Sequence, residues 1–195
     1  MFSSDNGGAG YIGLPHVNRP YRGWKLTFFE GGIRVPTFMA WPGRIAPGTR
    51  VTEPVSHLDI LPTLAAAAGA SPPADRPIDG VNLLPALTGT APAPERPLFW
   101  QDGHYLAVRH QGWKLQTSER PRKDWLFNLD ADPTERTNLA ASRPDKVAEL
   151  KALIAEHRAG GRQPLYPAAG ELPVVVDKTL AEPATAEEEY VYWPG

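Results

Sequence analysis

Four runs, Leu98-Phe99-Trp100-Gln101, Tyr105-Leu106-Ala107-Val108-Arg109, Trp113-Lys114-Leu115-Gln116 and Trp125-Leu126-Phe127-Asn128, decide the fold of the second half of this chain. Each is short and rich in aromatic and branched residues, which suit a pleated, half-buried surface. They are separated by Asp102-Gly103, Gln111-Gly112 and a charged stretch from Glu119 to Asp124, all of which carry turn chemistry. Short strands at this spacing predict an antiparallel meander or small sheet.

Toward the C-terminus, Ser142-Arg143-Pro144-Asp145 opens the clearest helix, with Val147, Leu150, Leu153 and Ile154 on one stripe and Gly160-Gly161 at its end. The remaining residues hold several prolines and the acidic run Glu187-Glu188-Glu189, and read as an extended tail with a solvated charged face.

Toward the N-terminus, Ala70 to Pro97 is proline-rich and reads as a crossing between two subdomains, with a short amphipathic piece at Val81–Leu87. Before it, Asp59–Gly69 predicts a helix capped by Asp59, with Pro62 in the first turn and Gly69 at the left-handed exit. Ile60, Leu61 and Leu64 share a face there, which directs that face to a core. Ile33-Arg34-Val35-Pro36-Thr37-Phe38-Met39-Ala40-Trp41 predicts a strand entered through Glu30-Gly31-Gly32 and closed by Pro42-Gly43. Its nearly continuous apolar residues suit a strand covered on both faces, with Pro36 near its start. The chain thus divides into residues 1–97, 98–160 and 161–195.

Composition narrows the function classes. A chain of 195 residues is long enough for a substantial core. Lys plus Arg is 20 and Asp plus Glu is 22, so the basic excess that accompanies nucleic-acid binding is absent. There is no cysteine, which excludes disulfides, thiolate metal sites and a cysteine nucleophile within these residues. No run of about 18 apolar residues exists to span a membrane. The opening Met1-Phe2-Ser3-Ser4-Asp5-Asn6-Gly7-Gly8 does not have the basic start and apolar stretch of a secretory signal. Compartment is therefore left open.

Two segments can carry chemistry. In Asp5-Asn6-Gly7-Gly8 a carboxylate beside a carboxamide offers two hard oxygens to one cation, as calcium and magnesium prefer. The same four residues equally make an ordinary turn. In Arg22-Gly23-Trp24-Lys25-Leu26-Thr27-Phe28-Phe29-Glu30-Gly31-Gly32, Lys25 is a compact cation in an aromatic, glycine-bounded setting that suits an oxyanion. A lysine lying along Trp24 and Phe28 at the surface satisfies the same pattern. His16 reads as a loop residue, and His57, His104, His110 and His157 set no metal-ligand spacing. The six tryptophans sit mostly in strand-like runs and read as core or interface rather than a sugar-stacking surface.

The order of the segments says more than any one of them. Asp5-Asn6-Gly7 is followed by Asn18-Arg19-Pro20-Tyr21-Arg22-Gly23-Trp24-Lys25, Glu30-Gly31-Gly32-Ile33-Arg34-Val35-Pro36 and Trp41-Pro42-Gly43-Arg44-Ile45. Then come Ser56-His57-Leu58-Asp59-Ile60-Leu61-Pro62-Thr63-Leu64, Asp79-Gly80-Val81-Asn82-Leu83 and the stretch Leu126 to Ala140. Over residues 2–158 this series resembles the C-terminal half of the sulfatase family, in the alkaline-phosphatase-like superfamily. The resemblance implies an α/β fold: the remnant of a large-sheet domain up to residue 97, then a small antiparallel sheet packed with a helix. It implies hydrolysis of sulfate esters with Ca2+, Asp5 and Asn6 as metal ligands, and Lys25 as the catalytic and substrate-binding residue beside the metal. Arg34 would be structural, and Asp132-Pro133 a turn followed by Asn138 as a cap. Trp24 stands where the family often has glycine, a departure that would narrow the pocket.

The family's nucleophile is a formylglycine made within Cys/Ser-x-Pro-x-Arg, upstream of the aspartate–asparagine pair and alongside further aspartate ligands. Ser142-Arg143-Pro144-Asp145-Lys146 only approximates that motif, follows the pair and opens a helix, so it is rejected. The resemblance thus implies an N-terminal half elsewhere, a parent that is periplasmic or secreted, and no activity from these residues alone. Two other readings stay open at this point. One is phosphodiester or phosphonate cleavage by the same superfamily; the other is a non-catalytic carbohydrate-binding or structural module on the Leu98–Asn128 strands.

Overall fold

Residues 1–162, 165–166 and 170–195 are described by the structure, a computed structural model. The chain forms two compact units, one of residues 2–37 and 97–195, the other mainly of residues 38–96.

In the first unit the meander forms as four antiparallel strands in sequence order: β3 (Leu98–Asp102), β4 (Tyr105–His110), β5 (Trp113–Glu119) and β6 (Arg122–Asn128), following the short β1 (Phe2–Ser3) and β2 (Thr37–Phe38). Gln111 and Gly112 both have positive φ, 48° and 73°, between the paired His110 and Trp113. That is the two-residue turn whose twist matches the strands it joins. The registers Val108↔Leu115 and Leu115↔Leu126 line up one face. There Leu106, Val108, Leu115 and Leu126 pack with Leu150 and Ile154 of helix α4 (Pro144–Gly160). Val147 and Leu153 join the same cluster, so the predicted stripe is the packed one.

The other face, one residue out of phase, carries Tyr105, Trp125 and Phe127 against Phe29, Val176 and Val191. The sheet is therefore covered on both sides. Val191 belongs to an antiparallel pair of β7 (Glu171–Val175) and β8 (Tyr190–Pro194), with Val174 opposite Val191, and Val176 follows β7 directly. The stretch read as an extended tail is thus packed structure over much of its length. Its acidic run is not wholly solvated either, since Glu189 binds Arg22, Lys123 and the indole N–H of Trp125. Short strands broken by prolines hid this cover.

The strand expected over Ile33–Trp41 does not form. Glu30–Ile33 makes one helical turn, α1, in which the Arg34 N–H donates to the Glu30 carbonyl at 2.8 Å. Only Thr37–Phe38 remains extended strand, and both residues are exposed rather than covered on two faces. The reason is Glu30, whose buried carboxylate is fixed by Lys114 and sets the backbone before the apolar run begins.

In the second unit a 3-10 turn at His57–Asp59 leads into α2 (Ile60–Ala67), and a short α3 (Leu84–Leu87) follows. Ser56 caps the start, with Asp59 accepting from the Ser56 N–H in a reciprocal capping box. Asp59 therefore closes the box rather than standing as the sole cap. Leu61 and Leu64 are exposed, while Pro62 and Thr63 are buried, so the packed face is not the Ile60–Leu61–Leu64 face. No helix among the described residues is long and apolar enough to cross a membrane.

Candidate functional site

Immediately after β1, Asp5-Asn6-Gly7-Gly8 folds into a tight turn whose side chains serve one another. The Asn6 N–H donates to Asp5 Oδ1 at 3.0 Å, and Asn6 Nδ2 donates to the Gly7 carbonyl at 2.9 Å. The second bond commits the amide nitrogen and leaves the amide oxygen as the acceptor. The Gly7 N–H donates to the Gly32 carbonyl at 2.8 Å. This approach demands glycine: a Cβ on Gly7 would lie 1.7 Å from the Gly31 carbonyl oxygen.

Asn18 clamps the next step, accepting from the Gly8 N–H at 2.7 Å and donating to the Gly8 and Gly23 carbonyls at 2.9 and 3.0 Å. The Lys25 N–H donates to the Gly8 carbonyl at 3.0 Å, so the lysine is pinned through its backbone to the acid–amide turn. Next to it Leu26 has φ of 81°, a strained value for a branched side chain. Thr27 holds that conformation, its hydroxyl donating to the Trp24 carbonyl and accepting from the Trp24 N–H.

Asp5, Asn6 and Lys25 line one open cavity of about 710 Å³. Arg19 and Arg34 line it too, which sets three cations against the single carboxylate of Asp5 and favours an anionic occupant. Arg34 also lies over the Tyr21 ring at 4.8 Å and 3.6 Å from Glu30 Oε2, so it has a structural tie as well as a place at the cavity. Both arginines fall within the ordered motifs, but their spacing gives no sign that they share a cavity with Lys25. Trp24 does not line this cavity; it is buried beside Gly10 and borders a separate one of about 310 Å³. His16 lines neither.

The donor set fits part of a calcium site. A carboxylate and a carboxamide oxygen on adjacent residues are hard ligands, but calcium takes about six to eight oxygens. Among the described residues no group of three or more His, Cys, Asp or Glu could hold a metal, so Asp5 and Asn6 supply a share of the shell and not the whole.

Behind the cavity lies a charged cluster that the sequence did not reveal. Lys114, Glu30 and Glu135 are all excluded from water, with Lys114 Nζ 2.9 Å from Glu30 Oε1 and 2.9 Å from Glu135 Oε1. Glu135 also accepts from the Glu30 N–H at 2.6 Å. Burial pushes the Glu30 carboxyl up, but Lys114, Arg109 and Arg34 outweigh it and hold the group below the usual carboxylate range. Burial lifts Glu135 above that range, because Lys114 and the Glu30 N–H offset it only partly and the Glu30 charge adds to it. Tyr105 continues the network, donating to Gln116 and accepting from the Phe28 N–H at 2.9 Å. Asn138, expected as a cap, accepts from the Ala140 N–H two residues on at 3.0 Å; it also accepts from the Leu126 N–H and donates to the Asp124 carbonyl, clasping the loop onto β6.

A small antiparallel sheet packed with one helix is the arrangement the sulfatase resemblance implies. Residues 23–159 match the family model described as N-sulphoglucosamine sulphohydrolase, C-terminal, and the chain belongs to the sulfatase family. It is 43% identical to rat (Rattus norvegicus) steryl-sulfatase, over 60% of this chain and 20% of that protein. It is 42% identical to human (Homo sapiens) N-acetylgalactosamine-6-sulfatase, over 89% of this chain and 39% of that protein. The solved structure of Ps i-CgsB superposes with a TM-score of 0.73 at 29% identity, covering 85% of this chain and 37% of that one. The chain therefore spans between about a fifth and two fifths of the length of these relatives.

Proposed function

We propose that this chain supplies the lysine and part of the calcium shell of a sulfatase that hydrolyses sulfate esters. The observation that carries the reading is the meeting of Asp5, Asn6 and Lys25 in one cavity, with the Lys25 backbone bonded to Gly8. Asp5 and Asn6 would hold calcium, which when bound supplies positive charge to the sulfuryl oxygens. The Lys25 ammonium donates to a sulfate oxygen and neutralises charge that grows as the S–O bond breaks. Its fixed backbone means little reorganisation is needed at that moment. Arg19 and Arg34 raise the local concentration of the anion. These residues include no cysteine, and their one approximation to the motif, Ser142-Arg143-Pro144-Asp145-Lys146, ends in lysine rather than arginine, so the formylglycine of the resemblance is not made here, and the chain alone holds its anion without cleaving it.

Calorimetric titration of inorganic sulfate into the chain, with calcium present, tests this. Binding weakened at least about tenfold by Lys25→Ala, and a calcium-dependent rise in Tm abolished by Asp5→Ala, are the expected results. Sulfate binding indifferent to Lys25→Ala would overturn the reading.

A further inference from the structure

The acid–amide turn and the lysine segment are separate pieces of chain, and one side chain outside both ties them together. Asn18 Oδ1 accepts from the Gly8 N–H at 2.7 Å, while Asn18 Nδ2 donates to the Gly8 carbonyl at 2.9 Å and to the Gly23 carbonyl at 3.0 Å. An asparagine amide has two N–H donors and one acceptor oxygen, so both of its ends are engaged. Among the described residues, no other side chain hydrogen-bonds to both Asp5–Gly8 and Arg22–Lys25. The fit is close: a Cβ on Gly8 would lie 2.4 Å from Val17 Cγ1 and 3.0 Å from Asn18 Oδ1.

The bonds form a relay. Asn6 Nδ2 donates to the Gly7 carbonyl at 2.9 Å, and the other end of that same peptide unit, the Gly8 N–H, donates to Asn18 Oδ1. Asn18 Nδ2 then bonds the Gly8 carbonyl, which also accepts from the Lys25 N–H at 3.0 Å, and the Gly23 carbonyl two residues before Lys25. Hydrogen bonds in series polarise one another. A shift of the Asn6 amide is therefore passed through one peptide to Asn18, and from Asn18 to the carbonyls that hold the lysine segment. Asn6, Asn18 and Lys25 all line the same cavity.

We propose that Asn18 is a positioning residue that couples calcium at Asp5 and Asn6 to the oxyanion at Lys25, so that each tightens the other through the protein as well as by opposite charge. This role rests on the sulfate reading above, and its test keeps the two apart. Dissociation constants of inorganic sulfate are measured by calorimetry with and without calcium, well below Tm, for the unaltered chain, Asn18→Ala and Asn18→Leu. The leucine keeps the volume and removes the hydrogen bonds. In the unaltered chain calcium is expected to tighten sulfate at least about tenfold, and sulfate then tightens calcium by the same factor. In both variants that gain falls at least about threefold, the remainder being direct attraction between the two ions. A gain unchanged in the variants, with Lys25→Ala still weakening sulfate, would overturn the coupling and leave the sulfate reading standing. A second measurement needs no variant to fold. When calcium alone is added to the isotope-labelled chain, the nuclear magnetic resonances of the Lys25 N–H and the Asn18 side-chain amide are expected to move together with that of the Asn6 side chain. If those of Asn18 and Lys25 stay still while Asn6 responds, the coupling is equally overturned. Sulfate binding that ignores Lys25, or calcium binding that ignores Asp5, would sink both.

Discussion

Lys114 Nζ lies 2.9 Å from Glu30 Oε1, a buried ion pair that joins residues 84 positions apart. It links the two halves of the first unit's architecture. Glu30 opens the turn whose Gly31 and Gly32 back the acid–amide segment, while Lys114 stands in the third strand of the meander. The cavity wall is therefore referenced to a rigid sheet.

Removing the lysine strands two buried carboxylates. Lys114→Met is expected to cost about 3–5 kcal/mol in urea unfolding, the range for breaking a buried pair from one side. Glu135→Gln should cost clearly less, since burial already favours the uncharged form of that group. A loss below about 1 kcal/mol for Lys114→Met would mean that the pair contributes little to holding the fold.

Acid stability follows from the direction of the shifts. Burial raises Glu189, but hydrogen bonds from Lys123, Trp125 and Arg22 outweigh it and hold the carboxyl at about 2. Glu30 is lowered as well. Groups with depressed folded values contribute stability that is present above their ordinary value near 4.5 and is lost as pH falls through the folded value. Tm should therefore drop steeply between pH of about 4.5 and about 2, and Glu189→Gln should flatten that limb. Glu135 works in the opposite sense: its contribution is present below about 4.5 and declines as pH rises through its raised value. In Glu135→Gln the loss of stability above pH of about 4.5 should become smaller.

Local pattern made much of the first unit legible. Gln111-Gly112 specifies its turn by chirality alone, and Val147, Leu150, Leu153 and Ile154 specify a face by period. What stayed hidden depends on partners far along the chain. An apolar run such as Val35–Trp41 looks like a buried strand until Lys114 claims Glu30 and fixes the preceding turn. Glu135 sits in an unremarkable charged loop with φ of 58°, and nothing near it announces burial. Glu189 belongs to an acidic run that usually means solvent, yet Arg22 reaches it across 167 positions. The shared cavity of Asp5, Asn6 and Lys25 was approachable only through the order of the motifs, since the intervening loop carries no pairing signal.

Close backbone approach makes a further prediction at Gly31. A Cβ there would lie 2.4 Å from both the Arg22 and Gly23 carbonyl oxygens, neither of which is a flexible side-chain end. Gly31→Ala should cost about 1–3 kcal/mol, the usual range for overpacking, and should weaken the calcium binding proposed for Asp5 and Asn6 by displacing the Gly7 segment. Gly160, at the end of α4, has open space around its Cβ position. Gly160→Ala is expected to be neutral or stabilising by about 0.5–1 kcal/mol, so the pair of variants separates crowding from a generic intolerance of alanine.

The second unit has its own buried charge, and a double-mutant cycle can measure it. Asp59 is fully buried and accepts from the Ser56 N–H at 2.8 Å, the Val81 N–H at 2.8 Å and Arg96 Nη2 at 2.5 Å. One carboxylate thereby ties the start of α2 to the Val81 segment and to Arg96. Asp59→Ala leaves two amides and a largely buried guanidinium without their acceptor, at an expected cost of about 3–5 kcal/mol. Arg96→Met should cost less, because the carboxylate keeps both amide donors. The coupling energy between the two substitutions, read from urea unfolding, should be about 1–3 kcal/mol. Additive losses would show that the amides alone hold Asp59, and that Arg96 is a bystander at this turn.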